Sequence, residues 1–216
     1  MKRILWIYIA VLISWGVYRF FYQLSEPLDE FIAKPLIFLG PVFWYLSKYE
    51  KSNWKLLGFK SKHMSHGSSI TKDIYLGVGL GMLLGAEGLI FNFIKYQGFN
   101  FEPVAAAGEF GLFGLMLLST ATAITEETFG RGFLYNFLRY YVPDAKAVLI
   151  SSLLFLVIHF PIVFFVLKLS GLGLFIYLST ILILSVANSI IFRVTESIYA
   201  PILIHLFWAV TMGLYL

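Results

Sequence analysis

The sequence predicts an all-α protein, a polytopic membrane helix bundle of about seven transmembrane spans forming a single domain over residues 1–216. Three observations lead there. Hydrophobic residues make up 59% of the chain and charged residues 13%, with a mean hydropathy of +0.82, whereas soluble domains carry about a quarter charged residues. Apolar runs of bilayer-crossing length alternate with short polar connections. The first four of those connections alternate between acidic and basic, which is the orientation signature of a membrane protein. The net charge of +4 is accordingly an orientation signal, and the partner it implies is a lipid bilayer, not nucleic acid. With no cysteine in the chain, disulfides, thiolate metal sites and cysteine nucleophiles are excluded.

Taken in order, Met1-Lys2-Arg3 precedes a first apolar run, Ile4 to Tyr18, expected to be a retained span with its N-terminus in the cytoplasm. Residues 19–30 lean acidic. A second span, about Phe31 to Leu46, is interrupted by Pro35 and Pro41. The stretch from Ser47 to Asp73 holds six lysines against Glu50 and Asp73, so it is expected in the cytoplasm. Within it, Trp54, Leu56, Leu57 and Phe59 suit a short piece lying in the membrane interface. His63 and His66 fall in the same basic loop and read as solvated. The third span, about Ile74 to Ile94, carries Gly77, Gly81 and Gly85 every fourth residue, a face of small residues for close helix packing. The fourth segment, Phe110 to Leu138, exceeds the roughly 20 residues a span needs, so a bend is expected near Gly130 and Gly132. Spans five, six and seven follow at about Ala147 to Leu167, Leu172 to Phe192 and Ile198 to Leu216.

The centre of interest is Thr125-Glu126-Glu127-Thr128-Phe129-Gly130-Arg131-Gly132, where two acids and an arginine interrupt an apolar segment. Ionised groups within a membrane span are costly and mark function. Glu127 and Arg131 are spaced i, i+4 with the acid N-terminal, the favoured order for an ion pair. Glu126 is rotated by about 100° from its neighbour and can face another partner. Counted from the cytoplasmic ends of their spans at about 1.5 Å per residue, Glu126, His159 and His205 fall at similar depths. A carboxylate and a histidine can hold a water and take its proton, and a second histidine can donate to the oxyanion of an attacked carbonyl. The same two histidines and glutamate could instead hold zinc, although the helical His-Glu-x-x-His pair is absent. Gly-x-Ser-x-Gly and phosphate-binding loops are absent as well.

The set Glu126-Glu127-x-x-x-Arg131, Phe155-x-x-x-His159 and Pro201-Ile-Leu-Ile-His205 resembles the CPBP family (Abi, CAAX protease and bacteriocin-processing) of intramembrane proteases, to which the Rce1-type CAAX prenyl endopeptidase belongs. The resemblance is strongest over residues 110–210. It implies that Glu126 is the general base, that His159 helps hold the water, that Glu127 and Arg131 support the site, and that His205 stabilises the oxyanion. It also implies an endopeptidase acting on a peptide or membrane-anchored protein tail; no cofactor is expected beside the zinc alternative, the expected location is the plasma membrane of a bacterium, and the depth count places the site toward the cytoplasm. The chain departs from the family at Ala209, where an Asn or Asp usually follows the histidine by four residues; Asn188 on the sixth span is the candidate replacement. Ala209 favours a second reading, a weakly active or inactive member acting as a membrane binding or immunity protein. A transporter would show inverted repeats and broken helices in both halves, and the sequence has neither.

Overall fold

In the computed structural model, which describes residues 1–59, 70–100 and 106–215, the chain is built of helices, and no strand occurs among the described residues. Helix α1 (Lys2–Phe21) is followed by a short α2 (Glu26–Leu28), a π-helical stretch Asp29–Ala33 and α3 (Lys34–Tyr49). After the 3-10 turn Trp54–Leu57 come α4 (Ile70–Gly85) and α5 (Glu87–Tyr96). Next are α6 (Ala106–Glu127), a π-helix Thr128–Tyr135 and α7 (Asn136–Leu138), which make one long segment. The chain closes with α8 (Asp144–Val157), a π-helix Ile162–Leu167, α9 (Gly171–Thr195) and α10 (Tyr199–Tyr215). His63 and His66 lie outside the described residues.

Among the described residues, four helices are long and apolar enough to cross a membrane: Lys2–Phe21, Ile70–Tyr96, Asp144–Leu167 and Gly171–Thr195; Tyr199–Gly213 is a shorter apolar helix. The sequence predicts about seven. The difference has a physical cause. The segments around Phe31–Leu46 and Phe110–Leu138 are helical as expected, but α3 is only 16 residues long with Lys34 at its start, and the other carries Glu126, Glu127 and Arg131 in its interior.

The sequence predicts a bend near Gly130 and Gly132; there the segment is π-helical with all eight residues buried, whereas its backbone kink lies at Gly111, φ 62°. Wide π turns inside α-helices recur at functional sites. The glycines are there because neighbours approach too closely for a side chain. A Cβ on Gly130 would sit 3.0 Å from the Phe155 ring, and one on Gly132 would sit 2.8 Å from the Leu57 carbonyl oxygen. Leu57 belongs to the stretch the sequence places in the membrane interface. It is instead fully buried, and the 3-10 turn is docked into the bundle: Asn136 Nδ2 donates to the Leu56 carbonyl at 2.6 Å and the Ile198 N–H donates to the Gly58 carbonyl at 3.1 Å. Only Trp54 keeps the expected exposure.

The glycine face of the third span packs on α10. Cβ atoms on Gly77, Gly81 and Gly85 would lie 2.5, 2.8 and 2.5 Å from Leu203, Phe207 and Thr211 respectively. The two helices therefore run side by side in the same direction, as close as small residues permit, and this contact fixes the helix that carries His205. The third span predicted by the sequence is one crossing helix, Ile70–Tyr96, with the single turn residue Ala86 between α4 and α5. At the end of the bundle that holds the 3-10 turn, the core is aromatic, with Phe129, Phe133 and Tyr135 fully buried. Ion pairs tie the same end, Arg139 to Glu196 at 2.7 Å and Arg193 to Asp144 at 2.9 Å.

Candidate functional site

Glu126 and Glu127 end α6 just where the π-helix begins, so their side chains leave the helix at a point of changing pitch. Both are buried. Glu127 Oε1 accepts from Arg131 Nη1 at 3.1 Å, the pair expected from the i, i+4 spacing. The same oxygen accepts from His205 Nδ1 at 2.7 Å, a contact the spacing does not foretell. Because a carboxylate only accepts, His205 Nδ1 carries the proton and Nε2 is left to face elsewhere. Arg131 also lies over the Phe155 ring, 4.3 Å from its centroid, which seats the guanidinium in an apolar wall.

His159 follows the last turn of α8. Its amide is bonded to the Leu156 carbonyl, three residues back, and Pro161 cannot donate to continue the ladder. That local break turns the imidazole inward. Its Nδ1 lies 2.7 Å from the Phe155 carbonyl oxygen, so Nδ1 is again the protonated nitrogen. The two free Nε2 atoms approach one oxygen: His159 Nε2 is 3.4 Å and His205 Nε2 is 4.0 Å from Glu126 Oε2. Tyr177 stands edge-on to the His159 ring and Trp208 to the His205 ring.

The other oxygen of Glu126 is held by a residue that sequence reasoning missed. Lys34 Nζ lies 3.2 Å from Glu126 Oε1 and 2.5 Å from Glu30 Oε1. Glu30 also accepts from the Thr122 hydroxyl, so the start of α3 is tied to α6 at two levels. An Arg19–Asp29 ion pair is buried on the same side of the bundle, with the guanidinium 4.1 Å from the centre of the Trp15 ring. One signal was present in the sequence: Lys34 is an ionised residue inside a predicted span, and Glu30 precedes it by four residues. Glu30 reads there as loop charge because it falls just outside the apolar run.

Glu126, His159, His205 and Lys34 line one cavity of about 260 Å³, together with Thr122, Tyr177, Trp208 and Ala209. Ala209 lies one turn beyond His205 and presents only a methyl group. Asn188 does not line this cavity. It is buried against α10, its Nδ2 donating to the Pro201 carbonyl at 3.2 Å. Glu87, on the third span, accepts from the Trp208 indole at 2.9 Å, which fixes a ring of the cavity wall from outside. Among the described residues, no group of three or more His, Asp or Glu is placed to hold a metal ion. The chemistry on offer is a carboxylate and two imidazole lone pairs directed into one space, flanked by an ammonium group, in a largely apolar enclosure.

Residues 108–211 match a protein-family model described as Rce1-like, type II CAAX prenyl endopeptidase. The match contains Glu126, Glu127, Arg131, His159, Asn188, His205 and Ala209. Over that stretch the chain is similar to the Rce1-like family. The family is one of membrane proteases, and the apolar helices of this chain make it a membrane protein. Lys34, Glu30, Arg19 and Asp29 lie outside the matched stretch, so the cation beside Glu126 is contributed by the N-terminal part of the chain. No solved structure matches the chain.

Proposed function

We propose that this Rce1-like protein is an intramembrane endopeptidase that hydrolyses a peptide bond of a membrane-anchored peptide or protein tail with a water activated by Glu126. The observation that carries the reading is the approach of His159 Nε2 and His205 Nε2 to a single oxygen, Glu126 Oε2, in a buried cavity. A water bound there hydrogen-bonds to Glu126 and His159. As its oxygen attacks the carbonyl carbon, its proton passes to Glu126 Oε2. The tetrahedral intermediate collapses with cleavage of the C–N bond, and the proton is delivered to the leaving nitrogen. Glu127, fixed by Arg131, holds the His205 ring by its Nδ1–H and balances positive charge on that ring when Nε2 is protonated and donates to the oxyanion. Lys34 lines the cavity together with Ala209, so its ammonium charge supports the oxyanion where the usual Asn or Asp of the family is replaced. Asn188 acts in this scheme only by fixing the start of α10 through Pro201. In this scheme Glu126 itself takes the proton of the water, with Lys34 on its Oε1 and the two histidines toward its Oε2, and no step uses a metal.

A binding or immunity role without turnover is the second reading, and the bare methyl of Ala209 in the cavity is the observation that favours it. One experiment separates the two. The purified protein in liposomes is given a membrane-anchored peptide in water enriched in oxygen-18. The endopeptidase reading expects two fragments, with the label in the new carboxylate. Intact peptide, retained on the protein, would support the binding role instead.

A further inference from the structure

A second cavity adjoins the candidate one. This vestibule of about 390 Å³ shares Tyr177, Trp208 and Met212 with it, and its other walls include Leu167, Leu169 and Gly173. Those three residues surround the α8–α9 connection, and Lys95, at the end of α5, forms another wall. The vestibule therefore opens at the end of the bundle where α5 ends and α9 begins. Tyr177 and Trp208, the rings set edge-on to the two histidines, stand between this vestibule and Glu126.

The opposite end is closed. Phe129, Phe133 and Leu134 are fully buried beyond Glu126, and the 3-10 turn seals over them with Leu57 against Gly132. The closed end is also the basic one. Lys2 and Arg3 begin α1 there, Lys48, Lys51 and Lys55 surround the end of α3, and Arg139, Lys146 and Arg193 flank the neighbouring turns. At the open end the exposed basic residues among the described part are Lys95 and Lys168, while Arg19 and Lys34 are in buried ion pairs. The excess of Lys and Arg marks the cytoplasmic side of a membrane protein.

We infer that the site is reached from the extracytoplasmic side, through this vestibule, and that its substrate is a polypeptide segment exposed outside the membrane, as in an exported or outer-leaflet-anchored protein. The substrate part rests on the endopeptidase reading above; the direction of access does not. The inference reverses the cytoplasmic opening expected from sequence, which follows from counting depth along helices without knowing which end is plugged. Leu167, Leu169, Ile176 and Met212 give the vestibule an apolar lining, so the segment it takes carries apolar side chains next to the cleaved bond.

The absence of cysteine makes the test direct. Ser170→Cys, in the exposed α8–α9 connection, and Lys55→Cys, in the exposed part of the 3-10 turn, are each introduced into the full chain. Intact cells are treated with a membrane-impermeant maleimide. Ser170→Cys should label in intact cells and Lys55→Cys only after permeabilisation; the reverse pattern overturns the inference. For the substrate, right-side-out and inverted vesicles receive the same membrane-impermeant quenched peptide bearing apolar residues. Cleavage should occur in right-side-out vesicles and be lost in inverted ones. Cleavage confined to inverted vesicles refutes the proposed substrate side. Absence of cleavage from both refutes the endopeptidase reading and its substrate, while the maleimide pattern still decides the direction of access.

Discussion

Lys34 Nζ and Glu126 Oε1 are 3.2 Å apart, although 92 residues of chain separate them. The contact divides the two oxygens of Glu126 between different tasks. Oε1 is held by an ammonium, and Oε2 is left to the histidines. A lysine in this place orients the carboxylate and compensates its charge within an apolar enclosure, where an isolated ion would be expensive.

Replacement of Lys34 by Met should therefore act on both stability and turnover. Breaking a buried pair by removing one partner leaves an uncompensated charge and costs about 3–5 kcal/mol. Lys34→Met should lower the unfolding midpoint in detergent and reduce kcat more than it raises KM. Lys34→Arg, which keeps the charge, should recover part of kcat. If Lys34→Met lowers the midpoint while kcat is unchanged, Lys34 serves the fold alone.

Ala209 gives a prediction of opposite sign. Ala209 is one turn from His205 and lines the same cavity, so an amide introduced there reaches the space where the oxyanion forms. Ala209→Asn should raise turnover, up to the order of 100-fold associated with a single oxyanion donor. No gain in a protein that already cleaves well would mean that Lys34 and His205 suffice.

How much of this was legible in the sequence differs from element to element. That the fourth segment deviates from a plain helix is legible because it is too long for one crossing, but the place is not: its kink is at Gly111, and Gly130 and Gly132 lie in a π-helix. The Glu127–Arg131 pair is legible because i, i+4 neighbours touch by helix geometry alone. The bond from His205 to Glu127 and the contact from Lys34 to Glu126 are not, because each depends on how separate helices pack. Leu57 misleads for the same reason: an apolar residue in a basic loop suits a membrane interface as well as a protein groove, and only the space left by Gly132 distinguishes them. The direction in which the cavity opens depends on which end the aromatic side chains fill, and hydropathy does not encode that.

The packing of α4 on α10 makes a prediction with an internal control. Gly81→Leu drives a side chain into Phe207 and Ile204, whose atoms lie 2.8 and 3.1 Å from the first added carbon. Overpacking of this kind costs about 1–3 kcal/mol, and it shifts the helix that carries His205, so thermal stability and turnover should both fall. Gly79→Ala, on the same helix but with nothing within 4 Å of the added carbon, should be neutral or stabilising by about 0.5–1 kcal/mol. Equal effects of the two changes would contradict the packing account.

Because Glu126 acts as the base on the water directly, the proposed chemistry uses no bound metal. Treatment with 1,10-phenanthroline should leave peptide turnover unchanged. Loss of activity that zinc alone restores would assign Glu126, His159 and His205 as ligands instead, in the manner of a catalytic zinc site with two histidines and a glutamate.

The most direct test of the central claim is the turnover of Glu126→Gln in liposomes, compared with the unmodified protein at equal folded amount. The amide keeps the size of the side chain and removes the proton acceptor. The account predicts that the unmodified protein cleaves a membrane-anchored peptide and that Glu126→Gln, though folded, gives no detectable product. Cleavage at a comparable rate by the Glu126→Gln protein would contradict it.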